Sequence, residues 1–235
     1  MGDLGEALKT LVPALGKRER GEWLEQAAGY MSEEKLKKDT NFLAYKIISA
    51  ASKLAPKDIP VVTDVGQHQM WTAQYYHVNK PRLFCSSGGL GTMGYGMGAA
   101  IGACFGTGKP AVLVTGDGCF NMNLNELSTA VTQGTPVVIL LMNNGVLGMV
   151  RQWQKVFYDE RFSATQPERG TDIAAVAKAF GVKGMRIKNP SQAKRVFKKA
   201  LSMDKPVVID CRIDPDCAVL PMIPPGGDIT TAIYK

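Results

Sequence analysis

An open, mostly parallel β-sheet with helices on both faces is the fold class that this sequence predicts, and three observations predict it. Six short apolar runs, each rich in branched residues and bounded by Gly or Pro, read as buried strands: 60–64, 82–85, 111–115, 137–142, 184–187 and 207–211. Helix-length segments alternate with them at 67–76, 92–105, 123–133, 172–180 and 191–202. Two of the strands run at their carboxyl ends straight into polar clusters, Gly116-Asp117-Gly118 and Asn143-Asn144-Gly145, where ligands sit in sheets of this kind.

The segments before and after this alternation read differently. Residues 1–38 are charged, with Leu4, Leu8, Leu11 and Leu15 at helical spacing, and are expected to be a helical remnant of a preceding domain and a linker. A second helical pattern from Thr40, through Phe42, Tyr45, Ile47, Ile48 and Ala51, opens the sheet domain, expected over 39–213. The tail, 214–235, carries Pro215, Pro221, Pro224, Pro225, Gly226 and Gly227 and is expected to be an extended arm.

Composition narrows the class. At 235 residues and 45% hydrophobic content the chain can bury a sizeable core. Five cysteines without CxxC spacing indicate neither a disulfide framework nor a zinc site, and fit a reducing cytoplasm. No apolar run is long enough to span a bilayer, so no membrane association is expected. The net charge of +7 is spread in short groups such as Lys198-Lys199 among acids and apolar positions, the pattern of solvated helix faces rather than of a nucleic-acid footprint.

Chemistry concentrates at the two polar strand ends. In Gly116-Asp117-Gly118 a carboxylate stands between glycines, which allow a sharp turn and close approach of a bulky anion. Alone, the triplet also describes a tight turn with a capping aspartate. Asn144 follows Asp117 by 27 residues, about the length of one crossover helix and one returning strand. If the strands are neighbours, a carboxylate, an amide oxygen and the backbone carbonyl just beyond Asn144 converge. That donor set suits a hard divalent cation with positions left for phosphate oxygens, and magnesium diphosphate is the natural guest.

This arrangement resembles the signature of thiamine-diphosphate enzymes. Gly66-Gln-His-Gln-Met-Trp71, Ser86-Ser-Gly-Gly-Leu-Gly-Thr-Met-Gly94 and Leu147-Gly-Met-Val-Arg-Gln-Trp-Gln154 narrow the resemblance to the carboxyl-terminal domain of acetolactate synthases (acetohydroxyacid synthases). The likeness runs from Asp64 through Val219-Leu-Pro-Met222, and Gly2-Asp-Leu-Gly-Glu-Ala-Leu8 is similar to the end of that family's central domain. The resemblance implies that Asp117 and Asn144 hold Mg2+ through their side chains and Val146 through its carbonyl. It implies thiamine diphosphate contacts for Val65, Gly66, Gln67, His68, Gly91, Met93, Gly116, Gly118, Cys119, Leu147, Gly148, Met149 and Val150. Met93 would be the apolar wedge that bends the cofactor, and Trp153 would favour 2-ketobutyrate over a second pyruvate as acceptor. Read without the resemblance, His68 is a hydrogen-bonding residue at a helix start, Met93 a core methionine and Trp153 a partly buried aromatic.

The resemblance also implies what lies elsewhere. The glutamate that activates the aminopyrimidine belongs to a separate amino-terminal domain, so no catalytic residue is assigned within this chain. FAD belongs mainly to the central domain, a homodimer or higher oligomer completes the site, and a regulatory subunit accompanies some such enzymes. The chain alone is therefore expected to be inactive. Two departures from the family pattern are the proline-free Gly96-Met-Gly-Ala-Ala100 and the absence of acidic residues in Asn144-Gly145-Val146. Rival readings are another carboligase or oxidase of the same branch, such as a pyruvate oxidase or glyoxylate carboligase, and a non-catalytic cofactor-binding partner chain. A Rossmann nucleotide binder fails, because Gly88-Gly-Leu-Gly-Thr-Met-Gly94 lacks the acidic residue expected about twenty positions on.

Overall fold

The computed structural model describes residues 2–17, 19–33, 43–167 and 170–234. They fall into two compact units, Met1–Thr40 and Asn41–Lys235. The first unit holds α1 (Leu4–Ala14), capped by Asp3 accepting from the Glu6 amide at 3.0 Å, and α2 (Gly21–Glu33). Leu4, Leu8, Leu11 and Leu15, spaced to share one face, are all exposed. The boundary expected at 38/39 and the start of the next helical pattern at Thr40 and Phe42 lie outside the described residues.

The second unit begins with α3 (Leu43–Leu54) and then alternates: β1 (Val61–Thr63), α4 (Gln67–Tyr75), β2 (Phe84–Ser86), α5 (Tyr95–Thr107) and β3 (Ala111–Gly116). Next come α6 (Asp117–Asn123), α7 (Glu126–Thr132), β4 (Val137–Asn143), α8 (Gly148–Phe157), α9 (Ile173–Ala179), β5 (Lys183–Ile187), α10 (Ala193–Leu201) and β6 (Val207–Arg212). The six strands form one sheet in the order β2-β1-β3-β4-β6-β5, and every pairing is parallel.

Strand alternation explains why both faces are covered. Side chains two apart share a face. Val112, Val114, Val138, Leu140, Val207 and Ile209 pack with Ile47 and Ile48 of α3, Trp71 of α4 and Phe197 of α10. Leu113, Val137, Ile139, Leu141 and Val208 pack with Met97 of α5, Leu127 of α7 and Ala177 of α9. The central strands β3 and β4 are buried along their whole length. The expectation that every strand is buried on both faces holds also for β1 and for β6 up to its last residue, but not at the edges: β2 and β5 have one neighbour each and are half-buried or partly exposed.

The chain lays β2 on one side of β1 and β3 on the other, so the strand order reverses at β1/β3. A crevice opens at the carboxyl ends of strands at such a point, since the connections leave in opposite directions. The ends of β1, β3 and β4 lie side by side there, with Gly116 of β3 in register with Met142 of β4. After β6 the chain turns back: Ile213 N donates to Asn143 O, and Met222 and Ile233 form an antiparallel bridge flanking a 3-10 turn at Ile229–Thr231.

Candidate functional site

A cavity of about 380 Å³ occupies the crevice. All thirteen residues expected at the cofactor and all three expected at the cation line it, from Val65 to Val150; Gln69, Trp71, Met142 and Ile213 join them. Trp153 does not line it. It sits on the outer side of α8, 40% exposed, with its ring edge-on to Phe157 at 5.9 Å.

Gly116-Asp117-Gly118 differs in form from the expected turn. Gly116 is the last residue of β3, in ordinary extended backbone, and Asp117 is the first residue of α6. The helix expected at 123–133 is two short helices, α6 and α7, the first starting six residues earlier. The Asp117 carboxylate is thus buried at a helix start, where peptide N–H groups favour negative charge. Gly116 is needed for space rather than for its dihedral angles: a Cβ there would stand 3.0 Å from Nδ1 of His68.

The neighbouring strand end splits its two asparagines. Asn143 Nδ2 donates to Asp210 of β6 at 2.9 Å, so that side chain belongs to the sheet. Asn144, one residue beyond β4, donates through Nδ2 to Gln67 Oε1 at 3.2 Å, while its Oδ1 accepts from Val146 N at 3.1 Å. Gln67 Nε2 donates to Gln152 Oε1 at 2.9 Å and to Cys217 O at 2.7 Å. Glycine at 148 is again a matter of space, for a Cβ there would collide with Gln67 Oε1 and stand 2.5 Å from Asn144 Nδ2.

On the β1 side, Asp64 anchors the Gly-rich segment. Its carboxylate accepts from Val65 N at 3.1 Å, Gly94 N at 2.9 Å, Gly96 N at 3.1 Å and Thr115 Oγ1 at 3.4 Å. This ties the end of β1 to the start of α5 and sets Met93, half-buried just before the Gly94 cap, at the cavity wall. Cys119 Sγ donates to Val65 O at 3.0 Å, and burial pushes its thiol up to about 12, so it is an inert wall rather than a nucleophile.

His68 is the unusual electrostatic element. Burial lowers its pKa to about 4, although the Asp64 charge and a hydrogen bond to the Asp64 backbone oppose this. Its Nε2 is buried without a partner, in a side chain that lines the cavity. An orphaned ring nitrogen beside a cavity is what an incoming polar ligand would satisfy.

These features fit a magnesium diphosphate. One carboxylate, one amide oxygen and a backbone segment at Val146 converge where glycines leave the walls bare, a donor set typical of Mg2+ that also takes phosphate oxygens. Among the described residues no group of three or more His, Cys, Asp and Glu could hold a metal without such help.

Residues around the pocket hold α8 in place, and the sequence offered little sign of them. Arg151 donates through Nε and Nη2 to Asp216 Oδ1 at 3.1 and 2.9 Å and lies 3.9 Å over the Phe162 ring. Gln152 Nε2 donates to Val219 O at 3.0 Å, and its Oε1 accepts from Val219 N at 2.8 Å. The partners lie 65 and 67 residues away, a distance at which no spacing rule operates. Asp64 did carry a signal close to that of Asp117: an acid at a strand's carboxyl end with a glycine just beyond it, here Gly66 after Val65.

Comparison with known proteins supplies the family. The family model described as "Thiamine pyrophosphate enzyme, C-terminal TPP binding domain" matches residues 64–211. The mitochondrial acetolactate synthase catalytic subunit of Saccharomyces cerevisiae is 40% identical over 97% of this chain and 34% of its own length. The probable acetolactate synthase large subunit of Methanococcus aeolicus is 43% identical over 75% of this chain and 30% of its own. The acetolactate synthase isozyme 2 large subunit of Escherichia coli is 36% identical over 100% of this chain and 43% of its own. The chain therefore spans less than half the length of these curated relatives. Among solved structures, benzoylformate decarboxylase from Polynucleobacter necessarius superposes with a TM-score of 0.67 at 24% identity, covering 75% of this chain and 34% of that one, a likeness of fold.

Proposed function

The chain belongs to the thiamine pyrophosphate enzymes, as their C-terminal TPP-binding domain, and from that premise we propose that it is the diphosphate- and magnesium-holding half of an acetolactate synthase active site. The observation that carries this reading is the convergence of Asp117, Asn144, Val146 and all the expected cofactor contacts on one cavity at the strand-order reversal.

In this reading Asp117 and Asn144 supply side-chain oxygens, and Val146 a carbonyl, to Mg2+. His68, whose Nε2 has no partner within the chain, would offer that nitrogen to the bound cofactor. Met93, set at the cavity wall by the Asp64 anchor, would be the apolar residue against which the cofactor rests. When bound, thiamine diphosphate supplies an electron sink for decarboxylation of pyruvate and for transfer of the two-carbon unit to a second 2-keto acid. The protein's share is to bind, orient and exclude water.

Completion by another domain is supported by α8, whose polarity is inverted. Its Arg151 and Gln152 are buried, while Val150 at the cavity and Trp153, Val156 and Phe157 further along the helix are exposed. An apolar face of this kind fits a covering domain. The activating glutamate, an amino-terminal domain from a second subunit, FAD and a regulatory subunit belong to that larger assembly, and Trp153 would meet the acceptor 2-keto acid there. Five free cysteines, together with no described helix long and apolar enough to cross a membrane, support a reducing, cytoplasmic setting.

The test measures acetolactate formation from pyruvate with thiamine diphosphate, Mg2+ and FAD, for the chain alone and after adding a relative's amino-terminal and central domains. Activity only on mixing, abolished by Asp117→Ala together with Mg2+-dependent cofactor binding, is the expected result. Full activity of the chain alone, or unchanged cofactor affinity in Asp117→Ala, would overturn the reading.

A further inference from the structure

An asparagine ligates a hard cation only through its carbonyl oxygen; turned over, it presents an amino group that carries partial positive charge. Something must therefore decide which way the Asn144 amide faces. Its immediate neighbour, Gln67, has the same ambiguity, since either end of a glutamine amide can be exchanged by a half-turn. The ambiguity ends only at a backbone group, where donor and acceptor cannot trade places.

Asn144 meets one directly, the Val146 N–H at 3.1 Å, and Gln67 meets another, the Cys217 carbonyl at 2.7 Å; the third, at the far end of the line, is Val219. Its N–H donates to Gln152 Oε1 at 2.8 Å and its carbonyl accepts from Gln152 Nε2 at 3.0 Å, so the Gln152 amide has one permitted orientation. Gln152 then offers an oxygen to Gln67 at 2.9 Å, and Cys217 O offers a second acceptor at 2.7 Å. Two acceptors demand that Nε2 of Gln67 face them, which leaves its Oε1 for Asn144. An acceptor at that point demands Nδ2 of Asn144, at 3.2 Å, and Oδ1 remains on the side of Val146. Gln67 and Gln152 are both buried, so water does not compete for these bonds. Reversing any one amide would set like against like at each of its own contacts.

We infer that Gln152 is a positioning residue for the cation site: docked on the Val219 backbone of the carboxyl-terminal segment, it reinforces through Gln67 the orientation, set also by the Val146 N–H, in which Asn144 presents its oxygen. The inference rests on the assignment of Asn144 as a magnesium ligand. It makes cation affinity depend on a segment that contributes no ligand of its own, and it gives two buried glutamines on different helices a single purpose.

The experiment is a double-mutant cycle on the full chain, reading the Mg2+ concentration needed for thiamine diphosphate to quench the fluorescence of the buried Trp71 at the cavity wall. Gln152→Met keeps length and volume but removes the amide. Because second-shell changes typically cost about 10–100-fold in metal affinity, Gln152→Met should raise the Mg2+ requirement by about tenfold or more. Asn144→Asp presents oxygen whichever way it turns, so in that background Gln152→Met should change the requirement by less than about twofold. Gln152→Glu, which retains an oxygen toward Gln67, should stay nearer the unaltered chain than Gln152→Met does. Equal losses in both backgrounds would mean that Gln152 is merely structural and would overturn this inference alone. A Mg2+ requirement unmoved by Asn144→Ala would overturn the ligand assignment, and the inference with it.

Discussion

Asn143 and Asn144, consecutive in the chain, commit their amides to different parts of the molecule: Asn143 Nδ2 donates to buried Asp210, and Asn144 Nδ2 donates to Gln67 in the cavity wall. The two should therefore fail differently. Asn143→Ala takes a donor from a carboxylate with no exposed surface, which Arg186 and Arg212 still bond, and should cost roughly 1–3 kcal/mol of folding stability. Asn144→Ala should cost less than that in urea unfolding, yet abolish the Mg2+ dependence of cofactor binding. The reverse ranking in the two assays would refute the division of labour.

Asp64 supports a second expectation. Its carboxylate accepts from three backbone amides and one hydroxyl, with 1% of its surface exposed. Replacing it by Ala strands those donors, and a lost partner costs roughly 1–3 kcal/mol per buried group. Asp64→Ala should lower the urea midpoint more than any single Ala substitution among the cavity-lining side chains, and should loosen Met93, read as weaker cofactor binding in whatever protein still folds. Gly96→Ala should act at the same joint, since its Cβ would stand 2.8 Å from Asp64 Oδ2 and 2.8 Å from Leu113 Cδ1. A midpoint unmoved by Asp64→Ala would remove the anchor from this account.

The parts of the site that were legible in sequence are those whose logic is local. Gly116-Asp117 and Asn144 each terminate an apolar run, and parallel pairing of adjacent strands brought them together, as β3 and β4 show. What could not be read locally was the helix that begins at Asp117 with no intervening loop, because Asp-Gly is common turn chemistry and the helix is only seven residues long. The buried polar face of α8 was hidden for the opposite reason. Arg151 and Gln152 look like surface residues until Asp216 and Val219, far along the chain, satisfy them. The apolar residues of the edge strands imply full burial, but position in the sheet, which no single strand encodes, decides exposure.

The pH dependence of folding should carry the mark of His68. Its pKa in the folded chain, about 4, lies below the ordinary 6.5 because burial disfavours the charged ring. Between those values the unfolded chain binds a proton that the folded chain refuses, so stability rises with pH across the window and is complete above it. On going from pH 7 to pH 5 the His68 contribution should fall by about 2 kcal/mol. Asp58, Asp172 and Asp228 have carboxyls held below the usual range, the first by Lys109, the second by the Ala175 amide and the third by Thr230. Their contributions are lost only as pH falls below about 4, at the foot of the histidine window and outside the pH 7 to pH 5 interval. Urea unfolding of the parent and of His68→Gln at pH 7 and pH 5 separates the two: the variant should lose most of the difference between these pH values. Equal slopes for both proteins would mean that another group titrates there.

Gly148→Ala tests whether the crowded corner of the cavity exists for ligand rather than for folding. Gly148 opens α8 and has no positive φ, so alanine suits its backbone, and in a helix alanine is favoured over glycine by about 1 kcal/mol. Its Cβ would nevertheless collide with Gln67 Oε1 and press on Asn144 Nδ2, both ends of flexible side chains that can yield. Folding stability should therefore change little, the helix gain offsetting the displaced amides, while Mg2+-dependent cofactor binding weakens by about tenfold or more through the displaced asparagine. Gly102→Ala in α5 is the matched control, because its Cβ meets nothing within 4 Å. That substitution should stabilise the chain by about 0.5–1 kcal/mol and leave cofactor binding untouched. Should Gly148→Ala behave like Gly102→Ala in both measurements, the Gln67–Asn144 contact would have no part in holding the cation.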